Sequence, residues 1–278
     1  MPDDFTPVLL GLASAFSWGS GDFIGGLASR RSSILATVIV SQAVGLTMLA
    51  LMGLVTGEKA PYTLYLLWSA AAGLSGGMGL VALYRALAKG EMTVVAPVTG
   101  VVTASIPVLF GAYLEGFPTW LQLIGFMMAI TGVGLTTGFR RTSQGLLAGL
   151  IAGIGFGLFL VFIGQVGDGY FFWPLTISRS TTMAACLTLA LARKTTLKTS
   201  PKILPMIALG GLLDAGGSGL FLLARHATRL DVSAVLSSLY PMATVILAYL
   251  ILGEKPTPLK TAGILLAIAA TPLIKNTT

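Results

Sequence analysis

Long apolar runs separated by short polar breaks cover the chain from one end to the other. Read between breakers, they give ten segments: Pro7 to Ala28, Ile34 to Val55, Leu64 to Ala88, Thr93 to Leu114, Thr119 to Gly138, Gln144 to Val166, Phe171 to Ala192, Ile203 to His226, Val232 to Leu252 and Thr257 to Ile274. A helix needs about 20 mostly apolar residues to cross the hydrocarbon of a bilayer. The pattern therefore predicts an all-α integral membrane fold of ten transmembrane helices. The breaks are short, so neighbouring helices run antiparallel as hairpins. The tightest are Glu115-Gly116-Phe117-Pro118 and Gly253-Glu254-Lys255-Pro256. No stretch is long or polar enough for a soluble domain.

The chain also matches itself. Shifted by 140 residues, Gly76, Gly77, Gly79, Leu80, Leu83 and Arg85 fall on Gly216, Gly217, Gly219, Leu220, Leu223 and Arg225. The register continues with Lys89 on Arg229, Glu91 on Asp231, Thr93 on Ser233 and Val95 on Val235. A shift of 138 puts Gly11-Leu12 on Gly149-Leu150 and Trp18-Gly19 on Phe156-Gly157. Glycine matches alone could arise by chance in a chain with 35 glycines; charged matches in the same register are harder to obtain that way. The predicted units are two five-helix repeats, residues 1–140 and 141–278. With five helices each, the second must enter the membrane upside down.

Charge supports that inversion. Arg30 and Arg31 follow the first segment, while the matching break after the sixth has no base. Lys59 alone follows the second, against Arg193, Lys194, Lys198 and Lys202 after the seventh. No base follows the fourth, against Lys255 and Lys260 near its match. Arg85 and Lys89 do not swap with Arg225 and Arg229; bases at helix C-termini, with Glu91 and Asp231 at the following N-termini, suit the helix dipoles instead. Counted with Arg140 and Arg141, the basic breaks follow odd-numbered segments, which by the positive-inside rule places both termini outside.

Composition agrees with a membrane chain. The residues are 55 % apolar and 10 % charged, against about 25 % charged for soluble domains. A net charge of +7 invites a nucleic-acid partner. The bases, however, flank apolar runs and are better explained by the cytoplasmic side of a membrane, so no nucleic-acid partner is expected. The single cysteine, Cys186, lies in an apolar run and can form no intrachain disulfide. Met1-Pro2-Asp3-Asp4 lacks a basic region, and no cleavable signal peptide is expected.

The repeat, Trp18-Gly19, Leu252-Gly253-Glu254 with its weaker echo Leu114-Glu115-Gly116, and Tyr240-Pro241 resemble an EamA-type member of the drug/metabolite transporter superfamily. The resemblance covers nearly the whole chain. It implies ten helices around a central cavity lined by the first, third, fourth, sixth, eighth and ninth. It also implies transport of amino acids, drugs, nucleobases or other metabolites, often outward, and cytoplasmic termini, opposite to the charge count. Pro241 has no counterpart in the first half, a departure from the pattern.

Ionisable residues deep in a membrane cost roughly 3 kcal/mol on insertion scales and are functional candidates by default. Arg179 lies 13 residues before Ala192, and Asp214 lies 11 residues after Ile203, in one hairpin. At 1.5 Å per residue both sit about 17–20 Å from that end, so they can pair. Such a pair either locks the hairpin or holds a charged substrate or proton. Asp214 also shares a helix face with Ser218. Ser14, Trp18 and Asp22, spaced by four, form a polar stripe whose counterparts are Ala152, Phe156 and Leu160. Asp22 either reaches water near the membrane edge or serves as a proton-coupling carboxylate or cation ligand. Trp18 beside it could face an organic cation. The glycines at 73, 76, 77 and 79 and at 216, 217 and 219 read as close-packing surfaces. His226, Glu115 and Glu254 read as structural groups at helix ends, and Trp68, Trp120 and Trp173 as interfacial aromatics.

No metal cluster, phosphate loop or histidine beside a serine is present, so neither an enzyme nor a cofactor is expected. The expected function is secondary transport, by alternating access, of a small polar or amphipathic metabolite. The substrate-binding set is Ser14, Trp18, Asp22, Asp214, Ser218 and Tyr240. A lipid or lipid-linked headgroup carrier and a non-transporting scaffold are the alternatives. Membrane lipid is the other expected partner, a homodimer is open, and the expected location is a bacterial inner or plasma membrane.

Overall fold

A computed structural model describes residues 5–89, 92–137, 143–252 and 257–275. Glu91, Arg140, Arg141, Glu254 and Lys255, singled out above, lie outside them. Among the described residues the fold is all-helical: α1 Thr6–Ser29, α2 Ile34–Thr56, α3 Thr63–Ala88, α4 Met92–Leu114, α5 Trp120–Thr137, α6 Ser143–Ile163, α7 Phe172–Ala192, α8 Leu204–Ala227 after a single 3-10 turn, α9 Leu230–Ser237, α10 Tyr240–Leu252 and α11 Pro258–Lys275.

One expectation needs correction. The ninth segment, read as one helix from Val232 to Leu252, is broken at Ser238 and Leu239 into α9 and α10. Pro241 has no N–H to give the carbonyl of Ser237 and its ring crowds that carbonyl. The chain tightens instead, with Leu239 N bonded to Leu236 O at 3.3 Å and Met242 N to Leu239 O at 2.9 Å.

Five helices, α2, α3, α6, α7 and α8, are each long and apolar enough to cross a membrane; α4, α5 and α11 carry shorter apolar stretches. The surface is unlike that of a soluble protein, with large apolar side chains outside and several polar ones among the apolar interior. Leu9, Phe16, Leu51, Leu109, Met127 and Leu265 are exposed, while Gln42, Thr99, Thr103, Arg179 and Asp231 are buried. Many buried hydroxyls are satisfied locally, as in Ser69 Oγ donating to Tyr65 O at 2.6 Å and Thr99 Oγ1 to Val95 O at 2.7 Å. Others join helices: Ser14 Oγ to Gly217 O at 2.8 Å, Thr182 Oγ1 to Gly73 O at 2.6 Å and Thr244 Oγ1 to Gly19 O at 3.0 Å. Hydroxyls and small residues are what hold helices together where lipid removes the hydrophobic drive. A Cβ on Gly19 would collide with Tyr240 O, and one on Gly211 with the backbone of Ser41, so both crossings require glycine.

These contacts fix helix directions. Ser14 meets Gly217 and Ser17 meets Leu213, so α1 and α8 are antiparallel. Gly211 meets Ser41 and Ala215 meets Gly45, so α8 and α2 are parallel. Gly53 meets Phe172 and Gly45 meets Arg179, so α2 and α7 are antiparallel. Gly73 meets Ser178 and Gly77 meets Thr182, so α7 and α3 are parallel. Gly76 meets Phe159 and Gly79 meets Ala152, so α3 and α6 are antiparallel. Three reversals leave α1 and α6 pointing in opposite directions. The packing partners are exchanged in step: α1 on α8 is matched by α6 on α3, and α1 on α9 and α10 by α6 on α4. Counterparts α2 and α7 pack together, as do α5 and α11.

Candidate functional site

The buried polar residues converge where the halves meet. Arg179, near the middle of α7, forms an ion pair with Asp214, near the middle of α8. Its two terminal nitrogens are fully used. Nη1 donates to Asp214 Oδ2 and, at 3.1 Å, to Gln42 Oε1. Nη2 donates to Asp214 O at 2.9 Å and to Ser218 Oγ at 2.6 Å. Gln42 Nε2 returns a bond to Asp214 Oδ2 at 3.0 Å, and Ser218 Oγ one to Asp214 O at 2.9 Å. The guanidinium is almost wholly sequestered, with a side-chain exposure of 7 % against 21 % for Asp214. A buried charge is tolerated only when it is paired and hydrogen-bonded, and here both conditions hold.

Beside this cluster lies a cavity of about 60 Å³. Trp18 and Asp22 from α1, Thr103 from α4, Tyr240 from α10 and the Arg179 cluster supply its polar lining; Leu80, Phe156, Phe159 and Leu160 supply apolar walls. Thr103 and Arg179 sit near the centres of their helices, which places the cavity at mid-depth. Trp18 is pinned, its Nε1 donating to Asp214 O at 3.2 Å and its ring set edge-on to Phe159 and tilted against Phe221. Asp22 shares the cavity with Asp214, within electrostatic range of it. No described residue gives the Asp22 carboxylate a hydrogen bond or an ion-pair partner. Thr103 Oγ1 and the Tyr240 hydroxyl are buried beside one another and have no other partner among the described residues.

Five of the six expected binding residues, Trp18, Asp22, Asp214, Ser218 and Tyr240, thus line one cavity with Arg179. Ser14 does not. Its hydroxyl is buried against the Gly217 carbonyl and joins α1 to α8. Spacing by four leaves Ser14 on a similar helix face, yet two turns from Asp22 the face has rotated toward α8. Gln42, Thr103, Ser178, Thr182 and Ser238 also line the cavity and were not singled out from the sequence. Gln42 carried a signal, a lone amide in an otherwise apolar run. The hydroxyls carried none, because hydroxyls are scattered through every helix.

A second polar network closes one end of the bundle. Glu115, in the turn after α4, pairs with Arg225 at 2.8 Å and accepts Leu230 N at 3.1 Å. Arg229 pairs with the buried Asp231 at 2.8 Å. Arg225 lies in the last turn of α8 and Asp231 in the first turn of α9, as the helix dipoles favour, and Glu115 adds an ion pair across the halves. At the same end Glu58 accepts the N–H groups of Phe172 and Trp173 at 2.8 and 3.0 Å, and Trp173 Nε1 donates to Glu58 O at 2.7 Å. Trp173 is therefore anchored to protein, besides lying near a helix end. Among the described residues no group of three His, Cys, Asp or Glu side chains could hold a metal.

Comparison with known proteins adds the family. No curated protein sequence matches the chain. Several solved protein chains resemble it, among them one at a TM-score of 0.70 and 17 % identity, over 96 % of this chain and 95 % of that one, which shows a shared fold. The model of the EamA-like transporter family matches twice, over residues 5–138 and 143–275. With two copies of that unit, an apolar exterior and a polar cavity between the halves, this multi-pass membrane protein belongs to the EamA-like transporter family.

Proposed function

We propose that the protein is a secondary transporter that moves small amphipathic metabolites or drugs outward across a bacterial inner membrane by alternating access. The observation that carries this reading is a mid-depth cavity at the junction of the halves, whose Asp22 carboxylate has no protein partner and whose buried Thr103 and Tyr240 hydroxyls have only each other. Buried polar groups are normally satisfied, and exceptions ask for an occupant. The opposite courses of α1 and α6 support an inverted repeat with its two-fold axis in the membrane plane, the arrangement in which rocking of one half against the other exposes a fixed site to each side in turn. Ligand sites for drug-sized molecules span about 300–1,000 Å³. A cavity of about 60 Å³ is too small for such a cargo, so this conformation is a contracted one. The network of Glu115, Arg225, Arg229 and Asp231 then acts as a latch holding one end shut.

Asp22 is the proton-coupling group in this scheme. Asp214 is committed to Arg179, whereas the Asp22 carboxylate is open to the cavity. A proton that binds there from outside and leaves inside drives substrate the other way. Purified protein in proteoliposomes should accumulate at least one radiolabelled compound from a panel of amines, amino acids and nucleobases when a pH gradient is imposed. A protonophore should collapse that accumulation. Failure to move any of them, by gradient or by exchange, would overturn the reading.

A further inference from the structure

The polar lining of the cavity divides into two sets with different bonding states. In the first, Arg179, Asp214, Gln42 and Ser218 satisfy one another, and every N–H on the two terminal guanidinium nitrogens already has an oxygen partner. In the second, the Asp22 carboxylate has no bonded partner among the described residues, and the Thr103 and Tyr240 hydroxyls, 2 % and 5 % exposed, have only each other within reach. The Arg179–Asp214 pair is internally neutral, which leaves Asp22 as the carboxyl group of the cavity with no counter-charge.

We infer that Asp22, Thr103 and Tyr240 form a subsite for the ammonium group of a primary amine whose apolar body lies against Phe156 and Phe159. An ammonium carries three N–H donors and no acceptor, which complements three oxygen-bearing side chains, one of them a carboxyl group that can ionise against it. The same lining disfavours a zwitterionic amino acid. A substrate carboxylate would need a free cationic donor, and both terminal nitrogens of the one guanidinium lining the cavity are taken by its own neighbours. The selected cargo is thus a cationic amine without an α-carboxylate. This inference rests on the transporter reading and narrows it.

The test is binding to the full-length protein in detergent, measured by calorimetry and by thermal shift, with phenethylamine, phenylalanine and 2-phenylethanol. These share one apolar body and differ in ammonium and carboxylate. Phenethylamine should bind saturably and at least about tenfold more tightly than either analogue, the scale of losing a hydrogen-bonded charge. Asp22→Asn should remove most of that affinity. Tyr240→Phe and Thr103→Val should each weaken it severalfold while the unliganded melting temperature stays unchanged, a split that a merely structural role would not give. Phenylalanine binding as tightly as phenethylamine, Asp22→Asn retaining full affinity, or no saturable phenethylamine binding would each overturn the inference. Proteoliposomes that exchange phenylalanine but not phenethylamine would overturn it while leaving the transporter reading intact.

Discussion

Removing the Asp214 carboxylate tests whether the Arg179 cluster holds the fold. In Asp214→Ala, Arg179 keeps the residue 214 carbonyl, Gln42 Oε1 and Ser218 Oγ as neutral acceptors but loses its counter-charge, and Gln42 Nε2 loses its carboxylate acceptor. Stripping one partner from a buried ion pair costs about 3–5 kcal/mol. The value belongs at the lower end, about 3 kcal/mol, because three neutral acceptors remain and Asp214 borders the cavity with 21 % side-chain exposure. Arg179→Met in the same chain removes the stranded charge and replaces it with a flexible apolar side chain. The double variant should recover most of the loss. Equilibrium unfolding in mixed micelles, titrated with sodium dodecyl sulfate, reads both. If Asp214→Ala unfolds within about 1 kcal/mol of the parent, or the double variant is no more stable than the single, the pair does not carry the energy assigned to it here.

The glycine crossings give a paired prediction. Gly211→Ala drives a methyl into the Ser41 backbone and should cost about 1–3 kcal/mol in the same titration, whereas Gly216→Ala, whose methyl meets only Ser17 Oγ at 3.5 Å, should be nearly neutral. The latch predicts a change in accessibility. Glu115→Ala frees Arg225 and an N–H of α9, so a cysteine introduced as Phe159→Cys, with Cys186 replaced by Ala, should react faster with a water-soluble maleimide; an unchanged rate would show that this network does not control access. Leu239 offers a further check. Pro241→Ala restores the missing N–H and should let α9 and α10 close into one helix, slowing transport while raising the unfolding midpoint; unchanged transport would separate the break from function.

Much of the architecture was legible because membrane helices obey a simple metric. A fixed rise per residue put Arg179 and Asp214 at equal depth; the break before Pro241 was less legible, because Pro107 within α4 and Pro272 within α11 leave their helices unbroken. The repeat was legible because charged positions recur in register. What sequence could not supply was partner choice. Ser14 falls on the stripe with Trp18 and Asp22, yet its hydroxyl serves a helix crossing, since a neighbouring glycine brings the Gly217 carbonyl within reach. Glu115, Arg225 and Asp231 were identified as helix-end charges, but which of them meet depends on how α4 packs near α8 and α9. Thr103 was indistinguishable from other hydroxyls until the structure placed it on the cavity beside Tyr240.

The most direct test of the central claim is to compare two transport modes in proteoliposomes carrying the wild-type chain or Asp22→Asn. One mode is uptake driven by an imposed pH gradient; the other is counterflow exchange of labelled for unlabelled substrate with no gradient, run with a substrate found in the panel above at saturating concentration so that weakened binding does not limit the exchange. The account predicts that Asp22→Asn abolishes gradient-driven uptake and retains exchange, because the alternating cavity survives while its proton carrier is gone. Full gradient-driven uptake in Asp22→Asn would contradict it.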